Sequence, residues 1–366
     1  MDGTAERVRR SIDRMVESGA ERGVQVAVHR HGELVVDAVA GIADPATGRP
    51  VTPATVFYNY SIGKSAASAL VHVLAERGAF GYDTPVAALW PEFGAHGKER
   101  VTVRQVLTHS AGVPGLPLDT TVEELCDWER MCAVIADAEP WWEPGTAVGY
   151  HAYTFGYIVG EIVRRVTGRP LARVLREELT GPLGVADELY FGMPVSEHGR
   201  LARLEDAPGA EEMWAELPED LPMFRAGPKA AFPTAALGNR TDVLAADIPA
   251  GGKTSARAMA RLHAALMGDI PGVRLVSPER LREMTSVAAS GTDRIYGNES
   301  TWGLGFALGL PGGSQRKAGV FGMGGAGGSF TFGDVSNGVA FAITKNRLTP
   351  DFSAATEVID IVTAGV

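Results

Sequence analysis

Cysteine is almost absent from this chain of 366 residues: only Cys126 and Cys132 occur, six apart in a segment of helical pattern. That count excludes a disulfide framework, and two such thiols make no metal site. The eight histidines form no metal-ligand constellation either, so neither a metal nor a cofactor is expected. Positive charge is also scarce, with 34 Lys and Arg against 44 Asp and Glu and a formal net charge of −10. No basic cluster offers a phosphate track, which argues against a nucleic-acid partner. The densest, Arg164-Arg165 with Arg169, falls in a helical pattern and reads as a solvated face. No apolar run is long enough to span a bilayer, and Met1 to Arg10 lacks the apolar core of a signal peptide. These absences predict a soluble, cytoplasmic protein with no membrane partner. Internal repeats and low-complexity tracts are absent as well, and the sequence is silent on oligomeric state.

What is present suffices for a large core, since 45% of the residues are hydrophobic. Val8, Ile12, Met15 and Val16 recur at helical spacing within 4–20. Residues 24–39 read as two strands joined by a turn at His31-Gly32, followed by a loop from Gly41 to Pro53. A third, aromatic strand runs into Ser61, and a helix follows over 62–77. From about 80 to 235 helical periodicity dominates, and 205–235 reads as a long irregular loop over a site. A helix returns at 254–267 and another at 278–284. Strands then appear at 302–308, 330–334 and 339–344, the last two as a hairpin, before a final helix at 351–363. Strands at both ends of the chain predict one sheet built from both termini. The expected division is 1–78 with 240–366 as a sheet domain and 79–239 as an inserted, mainly helical domain.

The stretch Phe57-Tyr58-Asn59-Tyr60-Ser61-Ile62-Gly63-Lys64 passes from an aromatic strand into a helix rich in Ala and Leu. Ser61 falls where an N-cap or first-turn residue would be. Lys64 lies three residues on, on the same helical face, so its ammonium reaches back to the Ser oxygen. Unpaired N–H groups and the helix dipole point the same way. An acyl-enzyme nucleophile with a lysine base has this layout. An ordinary capped helix with a surface lysine has it too. The pattern S-x-x-K recurs at Ser314-Gln315-Arg316-Lys317, in a loop with no apolar helix behind it, so only the first copy has the strand-turn-helix context.

Several features in order resemble the serine β-lactamase superfamily, most nearly the class C β-lactamases and the family VIII carboxylesterases, transesterases and D-stereospecific peptidases. Ser61-Ile62-Gly63-Lys64 resembles the nucleophile motif. Val103 to Pro114, with Thr108-His109-Ser110-Ala111-Gly112 at its centre, resembles the family's helix-to-loop segment. Trp142-Glu143-Pro144-Gly145-Thr146 precedes a tyrosine as it does there. Gly322-Met323-Gly324-Gly325-Ala326-Gly327-Gly328-Ser329 resembles the Gly-rich edge strand. The resemblance implies an α+β fold of the β-lactamase and penicillin-binding-protein kind. An antiparallel sheet would be flanked by helices, with a mainly helical domain inserted and the active site in the cleft between the domains.

It also implies the site. Tyr150 would share proton transfer with Lys64, its phenol lowered from a pKa near 10 by nearby ammonium groups. The N–H groups of Ser61 and Ala326 would form the oxyanion hole, with Gly324 and Gly325 letting an acyl group approach. Tyr150-His151-Ala152 departs from the lactamase Y-x-N, leaving His151 as a substitute polar group beside Ala152. Met323 stands where lactamases have a lysine and offers only a soft apolar surface. Both departures argue against β-lactams and substrates with a free carboxylate. The expected function is a carboxylesterase-like serine hydrolase acting through a Ser61 acyl-enzyme on a small, neutral, fairly apolar ester or amide. The alternatives are a biosynthetic acyltransferase using the same acyl-enzyme with an amine or alcohol acceptor, and a non-catalytic binding protein on the same fold. His109 reads as structural, Tyr296-Gly297-Asn298 as a coincidental Y-x-N, and Lys253-Thr254-Ser255 as a helix cap. The G-x-G-x-x-G spacing of Gly322, Gly324 and Gly327 precedes a strand and so fails as a dinucleotide site.

Overall fold

The computed structural model describes residues 3–218, 220–311 and 319–364. The second S-x-x-K copy, Ser314 to Lys317, lies outside the described residues. Thr4–Glu17 is helical and buries Val8, Ile12 and Met15 on one face. Strands β1 (Gly23–Arg30) and β2 (Glu33–Asp44) follow, joined at His31-Gly32, where both residues take positive φ. The expected loop from Gly41 to Pro53 is partly strand, because β2 continues to Asp44 and pairs with β3 (Arg49–Pro50). After β4 (Phe57–Tyr58) comes the helix Gly63–Glu76, in which every residue but the last is buried.

The middle of the chain is helical, with Val103–Leu107, Val122–Leu125, Trp128–Ala136 and Thr154–Thr167 as its main pieces. Short strands β5 (Leu189–Tyr190) and β6 (Glu205–Asp206) follow. The segment expected as an irregular loop over 205–235 contains the short helices Ala210–Glu216 and Pro222–Ala226 instead. Prolines at 218, 222, 228 and 233 keep these helices short and hide their periodicity. Beyond β7 (Lys253–Thr254), Ser255 caps the helix Ala256–Met267, its Oγ accepting from the Ala258 N–H at 3.1 Å. The helix Pro278–Met284 leads to β8 (Ala289–Thr292), β9 (Glu299–Trp302), β10 (Ala307–Leu308), β11 (Val320–Gly324), β12 (Phe330–Asp334) and β13 (Val339–Lys345). β14 (Arg347–Leu348) and the helix Ser353–Thr363 close the chain.

The large sheet has nine strands in the order β3-β2-β1-β13-β12-β11-β10-β9-β8, all antiparallel. β1 from the start of the chain pairs with β13 from its end, Val24 opposite Lys345. Both faces of the centre are covered, so all seven residues of β13 are buried. Alternation decides which layer each joins. Phe341 and Ile343 pack with the two terminal helices, while Ala340 and Ala342 join the larger core that includes Ala256–Met267. Alanines on that side let the helix lie close to the sheet. β4, β7 and β5 form a separate three-stranded sheet, and β14 pairs in parallel with β6. Among the described residues no helix is long and apolar enough to cross a membrane.

Candidate active site

An aromatic run that stops abruptly as a strand sets the nucleophile. Phe57 and Tyr58 pair with Thr254 and Lys253. Asn59 then turns the chain. Its amide donates to Gly252 O at 2.8 Å, and its Nδ2 donates to the carbonyls of Phe57 and Thr254, each at 3.1 Å. Tyr60 takes φ 46°, a left-handed conformation unusual for a bulky residue that costs about 1–3 kcal/mol. Its ring lies 4.5 Å from that of Tyr58 and its hydroxyl donates to Thr234 O at 2.5 Å. The kink delivers Ser61 into a 3₁₀ turn, Tyr60–Ile62, that runs directly into the helix Gly63–Glu76. Ser61 is thus half a turn ahead of the helix. The N-cap is Ile62, and no side chain caps this end. Gly63 is required here, since a Cβ would lie 2.3 Å from the Gly252 nitrogen.

Lys64 is fully buried, and its Nζ donates to Ser61 Oγ at 3.0 Å and to Ala250 O at 3.5 Å. The same Nζ lies 4.8 Å from the centre of the Tyr150 ring. Burial alone brings its pKa down to about 7. Tyr150 lies in the stretch before Thr154–Thr167. Burial raises its phenol well above the ordinary tyrosine range, against the lowering effect of a hydrogen bond with Ser61. The expectation of a phenol lowered by ammonium groups is therefore corrected. The position that could supply a second cation is Met323, and Lys64 itself is pushed toward its neutral form.

The Gly-rich run is interior to the sheet, not at its edge. β10 pairs only with Phe321 and Gly322, however, which leaves Met323 and Gly324 without a strand partner on that side. Met323 is 2% exposed and buried with Val148 and Trp302 against Tyr150. It supports the tyrosine and offers no surface to a substrate, contrary to its expected place in the binding group. Gly324 packs on Phe352. At Gly325 a Cβ would lie 2.2 Å from Asn59 O, so only glycine lets the run approach the nucleophile turn. Ser329 Oγ donates to Asn59 Oδ1 at 3.0 Å and ties the two segments together. The main-chain N–H groups of Ser61 and Ala326 donate to no acceptor in the described chain.

His151 is also corrected. It is fully buried, its Nε2 accepts from the Val113 N–H at 3.1 Å, and its Nδ1 donates to Gly149 O at 2.6 Å. Both ring nitrogens are engaged, so it has nothing to offer a substrate. Lys253 points away into the core and donates to the carbonyls of Phe191 and Ala246. Among the described residues no group of His, Cys, Asp and Glu is placed to hold a metal ion.

A cavity of about 440 Å³ opens beside Tyr150, lined by Ala152, Tyr153, Tyr296, Ala326 and Leu348. Met213, Trp214 and Met223 from the short helices, with Leu217 and Phe232 from the segments that follow them, cover it. Asp206 is the one charged residue among the described residues of its lining. Tyr296, which its position in sequence makes look coincidental, is half-exposed with its ring 5.8 Å from that of Tyr150. Asn59 and Tyr60 also escape sequence reasoning. A buried asparagine at the end of an aromatic strand is a faint signal for the first, and a positive φ leaves none for the second.

A strained turn presenting a serine to a buried lysine and a tyrosine, on this sheet and beside this pocket, defines a serine hydrolase of the β-lactamase and penicillin-binding-protein fold. The chain belongs to the β-lactamase family, whose model, described as Beta-lactamase, matches residues 8–364. The esterase/beta-lactamase LipL of Mycobacterium tuberculosis is 34% identical over 344 residues, covering 89% of this chain and 77% of its own. The crystal structure of a family VIII carboxylesterase superposes with a TM-score of 0.89 at 31% identity, covering 99% of this chain and 98% of its own. EstA from Arthrobacter nitroguajacolicus Rue61a superposes with a TM-score of 0.86 at 29% identity, with the same coverage of 99% and 98%.

Proposed function

We propose that the protein is a carboxylesterase that cleaves small, neutral, apolar esters through a Ser61 acyl-enzyme. The observation that carries this reading is the 3.0 Å contact of a buried Lys64 with Ser61, with no counterion to Lys64 among the described residues, next to an apolar pocket whose described lining holds no lysine or arginine. Neutral Lys64 accepts the Ser61 proton as Oγ attacks the ester carbonyl. The N–H groups of Ser61 and Ala326 hold the oxyanion, a contribution of about 10²–10³ in rate per donor. Tyr150 remains a phenol and passes its proton to the departing alkoxide, to be restored from Lys64. Water then attacks the acyl-enzyme along the same path. The division into 1–78 with 240–366 and 79–239 belongs to the same reading, because the pocket draws Ala326 and Leu348 from one part and Tyr153 and Trp214 from the other.

Intact-mass measurement after exposure to a fluorophosphonate or a p-nitrophenyl ester tests this. Wild type is expected to gain one adduct and Ser61→Ala none. A wild type that gains no mass, or a Ser61→Ala that gains as much, would leave a non-catalytic binding protein as the better account. Product analysis with and without added amines or alcohols then separates hydrolysis from acyl transfer.

A further inference from the structure

His109 stands outside the mechanism above, yet it touches the site on three counts. It follows the short helix Val103–Leu107, is fully buried and takes φ 56°. Its carbonyl accepts the Gly149 N–H at 3.0 Å, and its ring Nδ1 accepts the His151 N–H at 3.0 Å. The residues on either side of Tyr150 therefore hang from one histidine. Its ring also lies 4.8 Å from the Tyr150 ring and is packed between Trp302 at 4.2 Å and Phe155 at 4.9 Å.

This arrangement has a cost. Because Nδ1 accepts, the ring hydrogen sits on Nε2, and Nε2 is buried with no partner among the described residues. An orphaned buried donor costs about 1–3 kcal/mol, and a left-handed non-glycine residue a similar amount. A loop anchor alone has no need of either. What the histidine uniquely supplies is an acceptor for the 151 amide from a flat ring that also lies against the phenol. Burial keeps that ring neutral, so Nδ1 stays an acceptor.

We propose that His109 is a positioning residue of the acyl-transfer reaction, fixing the Tyr150 phenol against Ser61 and Lys64 by holding residues 149 and 151 and by packing on the ring. The proposal rests on Tyr150 having the proton-transfer role given to it above. The test compares His109→Asn with His109→Gln. Asparagine places an acceptor near the Nδ1 position, whereas glutamine reaches the Nε2 position and leaves the His151 N–H unmet. Turnover of a p-nitrophenyl ester is measured for each in the wild-type and Tyr150→Phe backgrounds, with folding checked by near-UV circular dichroism.

A phenol displaced by about 1 Å predicts a loss of roughly 10²-fold in kcat for His109→Gln with KM little changed, while His109→Asn stays within about 10-fold of wild type. In the Tyr150→Phe background both substitutions should be nearly silent, because there is no proton donor left to position. Equal losses for Asn and Gln, or a Gln loss that persists in full without the Tyr150 hydroxyl, would overturn the proposal. So would failure of both variants to fold, which would assign His109 to the scaffold. A Tyr150→Phe enzyme with full kcat would instead refute the role given to Tyr150, and with it any need to position that residue.

Discussion

Lys64 is fully buried on folding and meets no carboxylate among the described residues in exchange. Its folded pKa of about 7 lies far below the ordinary value of 10.5. Below pH 7 it is an ammonium and cannot take the Ser61 proton. The expected pH profile of kcat/KM therefore rises about tenfold per unit on the acid side and levels near pH 7. Lys64→Met should lose about 10²–10⁴ in kcat, and Lys64→Arg should not recover it, because a guanidinium stays charged. A profile flat from pH 5 to 9 would remove Lys64 from the base role. The stability effect has the opposite benefit. The unfolded chain binds the proton more tightly than the folded one, so this group destabilises the fold near neutrality. The penalty is relieved as pH rises from about 7 toward 10.5. Lys64→Met should thus raise the thermal midpoint at pH 7 while lowering kcat as stated. At this scale the serine and lysine were legible, because three-residue spacing on a helix is written in the sequence. The Nε2 bond of His151 and the burial of Met323 were not, because the first depends on a partner 38 residues distant and the second on Val148 and on Trp302 of another strand.

The segment 231–234, which follows the short helices and brings Phe232 to the pocket, is held by two tyrosines next to the reacting groups. Tyr60, beside Ser61, donates to Thr234 O, and Tyr153, three residues past Tyr150, donates to Ala231 O, each at 2.5 Å. Each hydroxyl is worth about 0.5–1.5 kcal/mol. Tyr60→Phe and Tyr153→Phe keep the rings and free the cover. KM for an ester whose acyl chain fills the pocket should rise up to about 10-fold in each, while an acetate ester too small to reach Trp214 and Phe232 is spared. Equal losses on long and short esters would show that these bonds act on the reacting groups and not on the cover. Elements of this kind are the ones sequence reads worst. The helices at Thr4–Glu17 and Ala256–Met267 and the β12–β13 hairpin announce themselves by period or turn. Two-residue strands such as β5, β6, β10 and β14 have no period to show, and the cover helices are cut short by prolines. Strand β4 was expected in the main sheet, but its two residues pair with β7, whose Lys253-Thr254 reads in sequence only as part of a cap.

The molecule closes by joining its ends, and a buried ion pair sits on the seam. Lys345 ends β13, and its Nζ lies 2.5 Å from Oε1 of Glu21, just ahead of β1, with both side chains almost wholly buried. The same Nζ donates at 2.8 Å to Oγ1 of Thr349, which lines the pocket. Burial works against both charges: it raises the Glu21 pKa and lowers that of Lys345, each opposed by the partner. Such a pair contributes little net stability, yet either partner alone is an uncompensated buried charge. Glu21→Gln and Lys345→Met are each expected to lower the unfolding free energy by about 3–5 kcal/mol in urea, and the double substitution by much less than the sum. Because Thr349 shares the lysine, Lys345→Met should also raise KM for pocket-filling esters, an effect Glu21→Gln should show more weakly. Additive losses in the double variant would mean that the two charges are solvated independently. The seam between β1 and β13 would then be held by its apolar residues, Val24, Val26 and Ile343, and not by the ion pair.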